Sequence, residues 1–348
     1  MSRKGRPEGE YRSAQHEGSP VSAQREGGAA SRGLQQPVSW RVWAMAAACV
    51  AATLVLPFLV GNYWLRVWTT VLMFVAVAQG LNIIVGFAGY HSFGNAAFFG
   101  VGAYVTGVLM VWGMPFVGTL PIAAGVSALI AMLVGYPLLR LRGHYFAIAT
   151  VALNIAFAEL IINLGGVTGG AQGLALPMSS LPPDALYRMI YFLMAGSAIG
   201  ATALVAWLAR SRFGFALRAL KDSDAGAQAM GINTTRTRVL AWMLSAAVTG
   251  LVGGIWSYWL TFIEVGSAFD IGISVKGYIM MLIGGMGTVA GPVLGALFFE
   301  LFATLIWSHF GAIHNLVLGV LVCAVILVIP QGLLAAVRSR RWRGKGPR

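Results

Sequence analysis

Apolar residues fill most of this chain in stretches of membrane-spanning length, separated by short groups of charge, proline and glycine. A helix that crosses a bilayer needs about 20 such residues, and a broken one fewer. Cut on that basis, the pattern predicts spans at Val42 to Val60, Leu65 to Val85, Asn95 to Val111, Val117 to Leu139, Tyr145 to Leu164 and Tyr187 to Ala209. Two more follow a hydrophilic stretch, Val239 to Ile263 and Ile313 to Ile329. Between these lies Gly277 to Phe310, whose 34 residues are too many for one span and whose middle, 284 to 292, reads GGMGTVAGP. Glycine and proline break helices, and Pro292 suits the first turn of a new one. Two short helices are therefore expected, Gly277 to Met286 and Pro292 to Trp307, the first of them tilted or re-entrant. The fold class is an all-α membrane protein of about ten transmembrane helices, some short or broken.

Composition agrees with this picture and charge orients it. The 348 residues are 58% apolar and 10% charged, against roughly 25% charged in soluble domains. Of the 35 charges, 25 fall in three segments, 1–41, 210–238 and 338–348, and the other 267 residues hold ten. The net charge of +13 is thus a property of segment ends. No nucleic-acid partner is expected, because the basic tails lack the interleaved aromatics that stack on bases. Basic clusters mark cytoplasmic segments. With both termini cytoplasmic, the number of crossings is even, and ten crossings put all three basic clusters inside. Residues 1–41 read as a disordered basic tail, 42–337 as the membrane domain with a cytoplasmic loop at 210–238, and 338–348 as a second basic tail. Arg66, Asp184, Arg188, Glu264, Asp270 and Lys276 fall outside, and the glycine- and proline-rich Gly165 to Leu186 should form a turn-rich external cap.

Several chemistries have no residues to carry them. There is no GxxxxGK[ST] phosphate loop, no HExxH, no CxxC and no GxSxG. The two cysteines, Cys49 and Cys323, lie in apolar runs, and the five histidines are scattered. No catalytic, cofactor-binding or metal-ligating residue is expected.

The candidates for function are polar or flexible positions inside the apolar body. Leu81 to Tyr104 reads LNIIVGFAGYHSFGNAAFFGVGAY and places Asn82, Gly86, Gly89, Ser92, Gly94 and Asn95 at the boundary of two spans. Irregular backbone at membrane depth is tolerated where it is buried or lines a wet cavity; close packing through small residues is the plainer account. Gly284, Gly285 and Gly287 repeat the style in the second half, which suggests a midplane site between pseudo-symmetric halves. Glu159, near Asn154, and Glu300 are intramembrane acids, which are costly and suggest function. Asn154 and Glu159 stand about 140° apart on a helix and share a broad face at most. In the loop, Ala216 to Met230 reads as a short amphipathic helix or helix pair, with Asp222 or Ser223 as a cap and Gly231 as a stop.

These motifs, with LRLRGHYFAIATVALN (139–154), TGGAQGL (168–174), SRFGFALRALKDSDAGAQAMGIN (211–233) and GGMGTVAGPVLGA (284–296), resemble the permease subunits of branched-chain amino acid ABC importers. The resemblance covers roughly residues 65–335. It implies a bacterial inner-membrane subunit that works with a second homologous permease, cytoplasmic ATPase subunits that bind the ATP, and a periplasmic substrate-binding protein. It also implies that Asp222, Asp224, Ala225, Gly226, Ala229, Met230 and Gly231 belong to the ATPase-coupling segment. Gly226 stands where a second alanine is common, and Lys276 where a neutral or acidic residue is expected. Related permeases for urea or short amides are the alternative within the class. Outside it stands a secondary transporter or channel with Glu159 as a proton relay.

Overall fold

The computed structural model describes residues 40–141, 143–177, 182–310 and residue 319. The described residues before Thr53, in which the first helix begins, belong to a unit separate from the main body, which starts at Thr53. The helices are α1 (Trp40–Leu59), α2 (Asn62–Leu81), α3 (Asn95–Val111), α4 (Phe116–Leu138), α5 (His144–Asn163) and α6 (Pro183–Leu208). After them come α7 (Arg212–Asp222), α8 (Asp224–Ala229), α9 (Thr234–Leu260), α10 (Ile271–Gly284) and α11 (Gly291–Phe310). Six of the described stretches are long and apolar enough to cross a membrane, and Ala48–Leu59, Asn95–Val111 and Gly291–Ile306 are shorter apolar helices.

The helix cores follow the apolar pattern closely, and the differences lie at capped ends. The third span begins and ends as expected, and α4 and α5 are displaced by one residue. By contrast, α9 starts at Thr234, five residues before the expected Val239, because the Asn233 side chain accepts a hydrogen bond from Arg236 N at 3.0 Å. Likewise α10 starts at Ile271 and not at Gly277, because Asp270 Oδ1 accepts from Gly272 N at 2.8 Å. A short polar side chain at this position satisfies an amide that the first turn leaves open. One correction follows: Lys276, expected in an outside loop, is the sixth residue of α10. The expected last span, 313–329, and the tails 1–39 and 338–348 lie outside the described residues.

The turn-rich segment after α5 behaves as anticipated up to Gly173, with a helical turn at Gly165–Thr168 and a tighter one at Gly170–Gln172. A feature absent from the sequence reading follows. Leu174–Ala175 (β1) pairs antiparallel with Phe262–Ile263 (β2), in the register Leu174↔Ile263. That ladder ties the loop to the end of α9. The chain then passes through a helical turn at Val265–Ala268 before α10.

Helix α9 is central and packs against α2, α3, α4 and α6. Lipid tails are as apolar as leucine, so helices gain little from the hydrophobic effect in a bilayer and associate by close packing. Here small residues allow that approach. A Cβ at Gly102 of α3 would lie 1.9 Å from the Gly250 carbonyl oxygen of α9, and one at Gly253 would lie 2.0 Å from the Phe99 carbonyl oxygen. Trp242 of α9 is fully buried, with edge contacts to Phe98 and Phe146 at centroid distances of 5.3 and 5.7 Å.

Gly102→Ala and Gly253→Ala should each separate α3 from α9 and cost about 1–3 kcal/mol, the usual range for overpacking. Gly196→Ala, where nothing lies within 4 Å of the added carbon, should be neutral. Thermal unfolding of the three variants in detergent checks this, and equal midpoints would refute the packing account.

Candidate functional site

The hydrophilic loop folds into two short helices with caps at each boundary. Ser211 Oγ accepts from Gly214 N at 3.1 Å and starts α7. Ser223 ends it, and its hydroxyl accepts from Gly226 N at 3.1 Å to start α8. Gly231, at φ 78°, terminates the pair. The expected helix pair, the Ser223 cap and the Gly231 stop are all present. Arg238 in the first turns of α9 is buried, pairs with Asp224 and lies over the Tyr90 ring at 4.8 Å. This pairing fastens α8 to the bundle. Of the expected coupling residues, Asp222, Ala225, Gly226, Ala229, Met230 and Gly231 are exposed, whereas Asp224 is half-buried.

Helix α2 does not end at Leu81 but widens into a π-helical turn over Asn82–Phe87, a geometry common at functional sites. Its wide turn is held from the side. Asn82 Nδ2 donates to Thr288 O at 2.8 Å, and Asn82 Oδ1 accepts from Gly287 N at 2.9 Å. Gln79 Nε2 donates to Val289 O at 2.7 Å. The two glycine-interrupted segments singled out in the sequence therefore meet, with Asn82 reading both a carbonyl and an amide of the 285–290 turn. Gly86 cannot carry a side chain here, because its Cβ would fall 2.0 Å from Asn82 Oδ1 and 2.7 Å from Gly287 N.

Lys221, the penultimate residue of α7, completes the junction. Its Nζ donates to Gly86 O at 2.9 Å, and its stem passes so near Gly89 that a Cβ there would lie 2.9 Å from Lys221 Cγ. A cleft of about 300 Å³ opens beside it, between residues 88–91, Gly143 and residues 220–224. The π-helical turn extends α2 into a continuous stretch of 26 residues, Asn62–Phe87, and its end lies against Lys221 of α7.

The other expected positions divide by burial. Ser92 and Asn95 are fully buried. Ser92 Oγ accepts from Gly94 N at 3.2 Å. Asn95 Nδ2 donates to Ser245 Oγ at 2.9 Å, and Ser245 Oγ in turn donates to Gly80 O at 2.7 Å. Asn154 Nδ2 donates to Phe269 O at 2.7 Å and holds the turn before α10. Gly284 and Gly285 are buried against α11, where a Cβ at Gly284 would lie 1.8 Å from Gly291 O. Glu159 is different: it is exposed, whereas Asn154 is buried, so the two do not share a face. Glu300 is 9% exposed, inside the α11 packing. Gln79, Lys221 and Ser245 were not selected from the sequence. Their importance comes from the backbone atoms they meet, more than a hundred positions away in the chain.

Comparison with known proteins identifies the family. The profile of a family described as "Branched-chain amino acid transport system / permease component" matches residues 63–329. The high-affinity branched-chain amino acid transport system permease protein LivM of Salmonella typhimurium is 27% identical over 82% of this chain and 73% of its own length. LivH of Escherichia coli K12, of the same transport system, is 24% identical over 75% of this chain and 91% of its own. The autoinducer 2 import system permease protein LsrC of Escherichia coli O9:H4 is 27% identical over 65% and 68%. No solved structure matches. With a profile match over most of its length, placed on an apolar helical bundle with a capped hydrophilic helix pair, the chain belongs to the permease family of branched-chain amino acid transport systems.

Proposed function

We propose that this chain is one of two homologous permease subunits of an ATP-driven importer in the bacterial inner membrane, and that it carries branched-chain, hydrophobic amino acids. ATP binds to separate cytoplasmic ATPase subunits, and a periplasmic binding protein delivers the solute. The role is transport and not catalysis. Both termini face the cytoplasm, and the apolar run 313–329 joins the six long and three shorter apolar helices of the described residues to give ten crossings. Relatives named for branched-chain amino acid transport support the solute class. The translocation path runs beside Asn95 and Asn154, and Asn82, Gly86, Gly89 and Gly284 to Gly287 form its inner end.

One observation carries this reading: Lys221, at the end of α7 just before the exposed α8, donates to Gly86 O in the π-helical end of α2. A permease without a phosphate loop needs a surface for a motor and a connection from that surface to the helices. The Ala225–Gly231 face supplies the surface, and Lys221 with Asn82 supplies the connection. The exposed position of Glu159 gives the proton-relay alternative no support, because a relay acid belongs in the bundle interior or a wet cavity.

Two measurements test this in vesicles that contain all subunits. Replacing Ala225–Gly231 with a flexible Gly/Ser stretch should abolish ATP-driven leucine uptake and loosen the ATPase from the permease; unchanged uptake would remove the docking assignment. Lys221→Met should leave the complex assembled and hydrolysing ATP, while leucine moved per ATP falls about tenfold, the effect expected from losing one charge-assisted hydrogen bond. Lys221→Arg should restore most of that ratio. A parallel fall of hydrolysis and uptake in Lys221→Met would assign the residue to assembly and not to coupling.

A further inference from the structure

The span α6 passes into the hydrophilic helix pair through a corner whose geometry is fixed from within. Helix α6 ends at Leu208, and α7 begins at Arg212 with Ser211 as its cap. Arg218 locks the corner. Its Nε donates to Gly214 O at 3.3 Å, its Nη2 donates to Ala209 O, and its guanidinium lies 4.8 Å from the centroid of the Phe215 ring. Gly214 takes the tightest position, since a Cβ there would fall 1.8 Å from Leu208 O. The cation of Arg218 is thus used inside the chain.

The side chains that this corner turns outward have another character. Trp207, in the last turn of the 26-residue span, is 63% exposed, and Phe215 is 47% exposed. Arg210 and Arg212 between them are exposed as well. Arg212 makes no hydrogen bond, ion pair or ring contact among the described residues. Along α7, Gly214, Leu217 and Leu220 are buried, while Arg212, Phe215 and Asp222 follow one exposed face. The cation and the ring stand at the end next to the span, and the acid stands at the end next to α8.

A tryptophan at the end of a span sits at headgroup level, so the arginines that follow it lie where lipid phosphates do. An amphipathic helix in that plane buries its aromatic edge at the acyl boundary and sets its basic residues among anionic headgroups. From this corner α7 packs along α9 and against the π-helical turn of α2, where Lys221 reaches Gly86 O.

We infer that the corner between α6 and α7 is a docking surface for anionic phospholipid, with the Arg212 guanidinium on a headgroup phosphate and Trp207 and Phe215 at the acyl boundary. A guanidinium matches a phosphate with paired donors. In a zwitterionic lipid the choline cation competes for that phosphate, and in an anionic lipid it is left to the arginine. The lipid contact and the ATPase-docking face stand at opposite ends of α7, about 15 Å apart, so the lipid surface is the fixed point about which the coupling pair turns. That pivot role rests on the proposed function, and the lipid contact does not.

The experiment uses the complete transporter in vesicles of phosphatidylcholine, with and without phosphatidylglycerol. The fluorescence that Trp207→Phe removes reports on the corner. Brominated phosphatidylglycerol should quench that component at about fivefold lower mole fraction than brominated phosphatidylcholine, the effect of one arginine near an anionic surface. Arg212→Gln should abolish the preference, and Arg212→Lys should keep most of it. Equal quenching by the two lipids in the wild type, or none by either, would overturn the proposal. So would release of the ATPase by Arg212→Gln, which would make the corner a protein contact. Leucine moved per ATP should rise with phosphatidylglycerol. Inorganic phosphate added to phosphatidylcholine vesicles should not replace the lipid, and its success would show a free-anion site instead. A transport ratio indifferent to lipid, with the quenching preference intact, would remove the pivot role. A complex that moves no leucine in either lipid but keeps the preference would sink the functional reading and leave the lipid contact standing.

Discussion

The side chain of Asn82 joins two helices that the glycines have interrupted. A helix that widens or stops leaves amides and carbonyls without partners, and at the edge of an apolar bundle those groups must be satisfied internally. One carboxamide serves both needs, as a donor to Thr288 O and an acceptor from Gly287 N. The π-helical turn of α2, the 285–290 turn and the seat of Lys221 on Gly86 all depend on this arrangement. The glycines at 86 and 287 are the space it requires, since a side chain at either would press on the other's backbone.

The two ends of the bundle are built on different physics. Through the span, α9 is held to α3 by backbone-to-backbone approach, with glycines at 102, 250 and 253 and with Thr106 as a further small neighbour, and Ser127 of α4 also packs on Gly250. Such packing is stiff and shape-dependent. At the hydrophilic end, capped short helices are held by single polar contacts: the Asp224 to Arg238 pair, Arg238 over Tyr90, and Lys221 on Gly86 O. Contacts of that kind can be exchanged as a surface moves, which suits an element that has to transmit a displacement to a rigid body.

Apolar periodicity and length placed the helix bodies well, because in a bilayer backbone satisfaction leaves helices as the only open-ended solution. Helix ends were less legible. Asn233 and Asp270 each extend a helix by roughly a turn and a half, and both were read as loop residues because polarity alone does not separate a cap from a loop. The β1 to β2 ladder was invisible for another reason: two residues on each strand carry no pattern, and their pairing depends on where α9 stops.

Taken alone, the sequence determined that the chain is a membrane-embedded helical body, which segments are hydrophilic, that a helix there begins at Asp222 or Ser223 and stops at Gly231, and which family its motifs resemble. Those properties are local, set by composition and by residues within a few positions of each other. Only the tertiary structure decided which polar residues act together. It brought Asn82 to Gly287 and Lys221 to Gly86, and it turned Glu159 away from Asn154. These are contacts of side chains with backbone atoms of segments far away in the chain. The crossing of packed helices fixes them, and no spacing along the chain encodes it.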